Sequence, residues 1–285
     1  MKLLKKSKIL IVGLGLIGGS YAAALTKKGY QVYALTKEEE SIEFAKAHNY
    51  IIDGKTKVDE EFISSFDIVI FSLYPKIFIS WMKEYHTYFK EGTYILDVTG
   101  VKGSIVYEIQ DIIKNDKIEF IPTHPMAGRE VYGVQNAKYD LFIGANYIIT
   151  PTDKNTKEGI ELAKEIGSIL EFKNISILTP EKHDEMIAFL SQLTHCIAVS
   201  LMTCKDSIHL KEYTGDSFRD LTRIANINEN MWSELFLMNK KELLAQMDLF
   251  IREFKKLRDA IESNDVETMK DMMRLSTKRR SYFNK

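Results

Sequence analysis

A short apolar run, Lys8-Ile9-Leu10-Ile11-Val12, passes straight into Gly13-Leu14-Gly15-Leu16-Ile17-Gly18-Gly19-Ser20 and then into Tyr21-Ala22-Ala23-Ala24-Leu25. No other stretch narrows the possible folds so far. The first segment reads as a strand buried on both faces and the last as the body of a helix. A G-x-G-x-x-G pattern alone is weak, but between a strand and a helix it predicts a dinucleotide-binding turn. Gly13 permits the tight turn, Gly15 lets the backbone approach a pyrophosphate, and Gly18 allows close helix–strand packing. Leu16 and Ile17 belong to this turn as expected cofactor contacts, and the N-terminus of the helix that follows, which is expected to begin at Tyr21, offers unpaired N–H groups to the phosphates.

The second strand, Gln31-Val32-Tyr33-Ala34-Leu35, ends at Thr36-Lys37. An acidic residue at this point would grip the ribose 2′-hydroxyl of NAD. A hydroxyl and an ammonium suit a 2′-phosphate better, so Thr36 and Lys37 favour NADP over NAD. Ile68-Val69-Ile70-Phe71-Ser72-Leu73, Tyr94-Ile95-Leu96-Asp97-Val98 and Ile118-Glu119-Phe120-Ile121 supply further strands, with helices between them over 77–88 and 101–113. Alternation of this kind predicts a doubly wound, parallel α/β sheet of the Rossmann type. Such sheets bind ligands at the carboxyl ends of their strands. That places Ser72 and Leu73, the loop at Thr99 and the residue His124 around one crevice with the glycine turn. An edge strand over 146–149, a helix over 156–170 and a short strand over 175–178 complete this half.

His124 sits in Ile121-Pro122-Thr123-His124-Pro125-Met126-Ala127-Gly128-Arg129-Glu130. Pro125 biases it toward extended geometry, so its imidazole is carried stiffly, as a general base requires. From Pro180 the periodicity turns helical. Within 181–205, Asp184, Ser191 and His195 are spaced by seven and four residues and are expected on one face. Cys196 is adjacent to His195, and adjacent helical side chains point apart, so no Cys–His pair is expected. Arg219 and Arg223, four apart, are expected as a cationic pair facing an anionic substrate. Asn228 is a helix cap, and a stripe from Trp232 to Ile261 predicts one long helix that packs against a second subunit.

Composition narrows the partners. With 39 Lys and Arg against 40 Asp and Glu, the net charge of -1 gives no attraction to nucleic acid or to an acidic membrane. The start, residues 1–8, is basic and then apolar, but glycines break the apolar run before it could span a membrane. The two cysteines fit reduced thiols of a cytoplasmic protein. No cluster suggests a metal site. The expected division is a dinucleotide-binding domain at 1–178 and a helical substrate and dimerisation domain at 179–285.

Gly13–Ser20, 97–102, 124–130, 184–195, 215–225 and Met231-Trp232 together resemble the prephenate dehydrogenase family of tyrosine biosynthesis, in the same order and across almost the whole chain. The resemblance implies NAD(P)-dependent oxidative decarboxylation of prephenate, or of its amino counterpart arogenate, by a cytoplasmic homodimer. It implies that His124 takes the proton of the ring 4-hydroxyl and that His195 lies near nicotinamide and substrate. It further implies that Asp184 orients a helix or a ring and that Arg223 binds a substrate carboxylate. Arg219 stands where a basic residue is usual. Gly128 belongs to the His-Pro-x-Ala-Gly motif, and Glu130 lies at the side-chain end of the substrate. Where relatives carry serine in a Gly-Ser-Val-Lys loop, this chain has Gly100, so Thr99 is the candidate to bond the 4-hydroxyl instead. Thr194 and Asn228-Glu229 replace prolines or Asp-Pro of the family pattern. Tyrosine is expected to act, if at all, at the active site itself.

Overall fold

The computed structural model describes residues 7–206 and 208–283, so residues 1–6 of the basic start lie outside the described residues. Strands and helices alternate from the start: β1 (Lys8–Val12), α1 (Leu16–Lys27), β2 (Gln31–Leu35), α2 (Glu39–Ala47), β3 (Asp53–Lys55), α3 (Glu60–Ile63), β4 (Ile68–Phe71), α4 (Pro75–Tyr85), β5 (Tyr94–Asp97), α5 (Gly103–Ile112) and β6 (Glu119–Ile121). The six strands pair in parallel in the order 3-2-1-4-5-6. Successive strand residues point to opposite faces, so two cores form. Ile9 and Ile11 pack with α1 and a later helix over Lys157–Ile169 on one side, whereas Leu10 and Val12 pack with α4 and α5 on the other. Each such fully buried aliphatic side chain contributes about 1.5–3 kcal/mol.

The main sheet ends at Pro122, which cannot donate to a ladder. Beyond it the chain enters a second sheet of β7 (Thr123–Met126), β8 (Asn146–Ile149) and β9 (Asn174–Ile177), with α6 (Lys157–Ile169) between the last two. The segment 146–149, expected as an edge strand, is instead the middle strand of this separate sheet, and the short strand expected over 175–178 is its neighbour β9. β7 is itself an edge strand, paired antiparallel with β8, which is why Pro125 is tolerated in it.

From Pro180 the described residues are helices and turns: α7 (Pro180–Ile187), α8 (Leu193–Thr203), α9 (Asp216–Thr222), α10 (Glu229–Met238), α11 (Lys240–Glu262) and α12 (Val266–Ser281). Two expectations are corrected here. A π-helical turn, Ala188–Gln192, interrupts the run expected as one helix over 181–205. The long helix expected from Asn228 to Ile261 is broken at Asn239. The Asn239 side chain is buried there and donates to the Asp184 carbonyl and to Gln192 Oε1. That anchorage holds the break between α10 and α11. Asn228 does cap α10, accepting from Met231 N–H.

Candidate active site

A cavity of about 420 Å³ opens between the carboxyl ends of the strands and the helical half. Ile17 of the glycine turn, Val98 and Gly100 of the loop after β5, and His124 through Glu130 line one side. Ser191, Gln192, His195, Arg223, Trp232 and Leu235 line the other. Size and mixed lining suit a small organic anion.

The glycine turn has the geometry its sequence demands. Gly13 has φ +97°, and a Cβ there would stand 2.5 Å from the Ser72 carbonyl oxygen and 2.9 Å from the Leu73 side chain. At Gly18 a Cβ would meet the Gly13 carbonyl at 1.9 Å. Ser72 and Leu73 therefore form the bed of the turn. A Cβ at Gly15, by contrast, meets nothing within 4 Å, so open space lies against the start of α1. No side chain caps that helix, which leaves the N–H groups of its first turn for a ligand. The turn fits the pyrophosphate of a dinucleotide. At the end of β2, the Thr36 hydroxyl donates to the Glu38 carboxylate at 3.0 Å, while Lys37 is exposed.

His124 is half-buried in β7, and a Cβ placed at Gly100 would lie 3.8 Å from its Nε2. Its Nδ1 is 2.8 Å from His183 Nε2, and His183 Nδ1 is 2.8 Å from Asp184 Oδ1. Burial, reinforced by the neighbouring His183 and the Lys102 ammonium, drives the His124 pKa well below its ordinary value. The ring is neutral at physiological pH and ready to accept a proton.

His195 and Ser191 also face the cavity. The His195 Nδ1–H donates to the Ser191 carbonyl at 2.9 Å, and the ring lies on Trp232 with centroids 3.7 Å apart. Burial lowers its pKa, against the opposing pull of the Ser191 carbonyl. Asp184 does not share this face, because the π turn rotates the helix between positions 184 and 191. Its carboxylate instead accepts from the backbone N–H of Lys102 and Gly103, each at 2.8 Å, and so closes the start of α5.

Two further expectations fail. The Thr99 hydroxyl is buried and turned away from the cavity: it bonds the Asp97 carboxylate and the Val101 carbonyl. It cannot replace a loop serine. Arg219 does not pair with Arg223 toward a substrate, because α9 ends at Thr222 and a 3₁₀ turn begins at Arg223. Arg219 is exposed and bonds Asp216 and the Thr214 carbonyl. Arg223 reaches the cavity mouth, where its Nη1 lies 2.5 Å from Glu130 Oε1.

Sequence reasoning missed His183 and Lys102. Lys102 is fully buried, with its ammonium 2.6 Å from Asp97 Oδ2 and 2.6 Å from the Thr123 carbonyl. A buried charge of this kind holds only when paired and hydrogen-bonded, and here it ties β5 to β7 beneath His124. The signal for His183 was its place beside Asp184, but neighbours on a helix point apart, so nothing in the spacing joined them.

Residues 21–176 match the family described as prephenate dehydrogenase, nucleotide-binding domain, and residues 179–275 match prephenate dehydrogenase, dimerization domain. The chain is 30% identical to the prephenate dehydrogenase of Bacillus subtilis, over 93% of this chain and 72% of that one. It is 31% identical to the cyclohexadienyl dehydrogenase of Zymomonas mobilis, over 95% and 94%. The crystal structure of prephenate dehydrogenase from Aquifex aeolicus, in complex with hydroxyphenyl propionate and NAD+, superposes with a TM-score of 0.90 at 28% identity. It covers 99% of this chain and all of that one.

Proposed function

The chain belongs to the prephenate dehydrogenase family, and on that premise we propose that its cavity carries out the nicotinamide-dependent oxidation and decarboxylation of prephenate to 4-hydroxyphenylpyruvate. The observation that carries this reading is the placement of the His124 imidazole in the cavity wall, where burial holds its pKa below the ordinary value, with Arg223 at the mouth.

His124 accepts the proton of the substrate's ring 4-hydroxyl at Nε2. Nicotinamide, when bound, supplies the acceptor for the hydride leaving that same carbon. Loss of carbon dioxide makes the ring aromatic, so the protein's task is to orient the ring and remove one proton. Arg223 holds a carboxylate at the mouth through its guanidinium fork. His195, whose ring lies against Trp232 at a tilt of 30°, walls the cavity on the helical side and excludes water from the reacting ring. Residues 1–178 form the nucleotide-holding domain, and 179–285 the substrate and dimerisation domain.

Arg223 already engages Glu130, so that carboxylate is not free for an ammonium group, which favours prephenate over arogenate. Arogenate is the second reading, since Glu130 remains partly open to solvent and could turn to its ammonium. For the cofactor, Lys37 favours NADP. The Glu38 carboxylate drawn beside Thr36 repels a 2′-phosphate and can accept from a ribose hydroxyl, so NAD is the preferred cofactor. Tyrosine, with the ring and hydroxyl of the product, competes for the same cavity. The enzyme works as a cytoplasmic homodimer joined through the helical half.

The test is reduced-cofactor formation with prephenate and with arogenate, each with NAD and with NADP. Turnover is expected to be fastest with prephenate and NAD. No turnover in any of the four combinations overturns the reading.

A further inference from the structure

Proton abstraction by His124 uses one ring of a pair. His183 is fully buried and does not reach the cavity, yet it stands between His124 and Asp184 with a hydrogen bond to each. The direction of those bonds is fixed from one end. An ionised carboxylate only accepts, so Asp184 Oδ1 takes the proton of His183 Nδ1. A neutral His183 then presents an unprotonated Nε2. That nitrogen in turn can only accept from His124 Nδ1–H, and the lone pair of His124 is left at Nε2, on the side of Gly100 and the cavity.

We propose that His183 is a positioning residue for the dehydrogenase reaction: together with Asp184 it locks His124 in the tautomer whose Nε2 is the base, and it takes up the charge that proton abstraction creates. The proposal rests on the reading of His124 as base. When Nε2 gains the substrate proton, the Nδ1 proton can pass to His183 Nε2, leaving a neutral His124 and an imidazolium beside the Asp184 carboxylate. One proton enters the pair of rings; as carbon dioxide leaves and the ring becomes aromatic, the reverse shift puts the proton back on His124 Nδ1 and Nε2 returns its own to the phenolate oxygen of the product, so both rings end as they began. The buried Lys102 ammonium opposes a positive charge on either ring, but on His183 the Asp184 and Asp97 carboxylates counter it, whereas His124 has no carboxylate hydrogen-bonded to it.

Asp184 contributes a second effect. The same carboxylate holds the Lys102 and Gly103 N–H groups, so the loop that carries Gly100 is pinned by the group that orients the base. Base and loop are thereby set at a fixed distance by one side chain. Neutrality of the whole arrangement is favoured by burial, which lowers the His183 pKa although Asp184 opposes the shift.

Two experiments on the full-length enzyme decide this. Long-range proton–nitrogen NMR of histidine-labelled, ligand-free protein at neutral pH should show His124 protonated at Nδ1 and bare at Nε2. In the second, His183→Leu should lower kcat about 10²–10³-fold with KM for substrate and cofactor changed less than about threefold. His183→Gln, whose Oε1 still accepts from His124 Nδ1–H but takes up no proton, should recover kcat to within about tenfold of the wild type, the loss that remains being the share of the relay; recovery to the full wild-type kcat would overturn the charge uptake. A merely structural His183 would not produce that recovery together with an unchanged KM. A His124 carrying its proton on Nε2 in the wild type overturns the proposal, as does His183→Leu at near-normal kcat. If the wild type oxidises none of the substrates, the substrate reading falls, and the NMR result still decides whether His183 and Asp184 fix the His124 tautomer.

Discussion

The two halves of the molecule bury their apolar residues differently. In the central strands of the sheet half, β1, β4 and β5, nearly every residue is enclosed, and Ile9, Leu10, Ile11, Val69, Phe71 and Phe120 are at or near zero exposure. From Pro180 on, the buried apolar residues among those described are Ile187, Ala188, Leu193, Ala198, Leu243 and Ala260. Meanwhile α11 leaves Ile251, Phe254 and Ile261 largely in solvent, and α10 leaves Leu237. A parallel sheet covered by helices completes its own core, whereas a stripe of large apolar side chains left open needs a partner surface. The sheet half is therefore finished within one chain. We propose that the helical half is finished only by a second copy.

On the proposed reading the chemistry divides along the same line, with His124 as the base on the sheet side and Arg223 as the substrate-anchoring cation on the helical side. The largest expected effect lies with the base. His124→Asn should lower kcat about 10²–10⁴-fold with little change in KM. Steady-state kinetics with prephenate check this, and a near-normal kcat would move the chemistry elsewhere. Phe254→Asp should weaken self-association by about 30–150-fold, the equivalent of about 2–3 kcal/mol for burying one large apolar side chain. Sedimentation should then show a monomer at concentrations where the wild type is dimeric, with the sheet half still binding NAD; an unchanged mass would take α11 out of the interface. Arg223→Ala should raise the substrate KM about 10–30-fold, near 2 kcal/mol for a charged hydrogen bond in a half-open site, while leaving kcat close to normal. Glu38→Gln should improve kcat/KM for NADP by only about 3–10-fold, because the carboxylate is exposed and screened. Ratios of kcat/KM for the two cofactors would show it.

How much could be read from the sequence follows the same contrast. The sheet half announces itself: β-branched runs, Gly13-x-Gly15-x-x-Gly18 and Pro125 each restrict the backbone locally, so the doubly wound parallel sheet and the crevice could be anticipated. What failed there depended on hydrogen bonds across space. Thr99 follows Asp97 by two residues, and nothing in that spacing says that its hydroxyl will turn inward to join the buried Lys102 cluster. In the helical half, periodicity was a weaker guide because local breaks reset it. The π turn at Ala188–Gln192 moved Asp184 off the face of His195, and the 3₁₀ turn at Arg223 separated it from Arg219. Asn239 looked like one more polar residue on a stripe, yet its buried amide ends one helix and starts the next. His183 escaped because its importance arises only where α7 meets β7.

The central claim is that a neutral His124 takes the substrate's proton, and the pH dependence of kcat/KM tests it most directly. The His124 pKa is lowered, so the ring is unprotonated and active at neutral pH, and activity is lost only as pH falls through that depressed value. The wild type should hold a flat kcat/KM down past the ordinary histidine range near about 6.5 and lose it at more acidic pH. His124→Asn should lose that acidic limb along with most of its rate. A limb that survives unchanged in His124→Asn would contradict the account, because the proton would then be taken by another group.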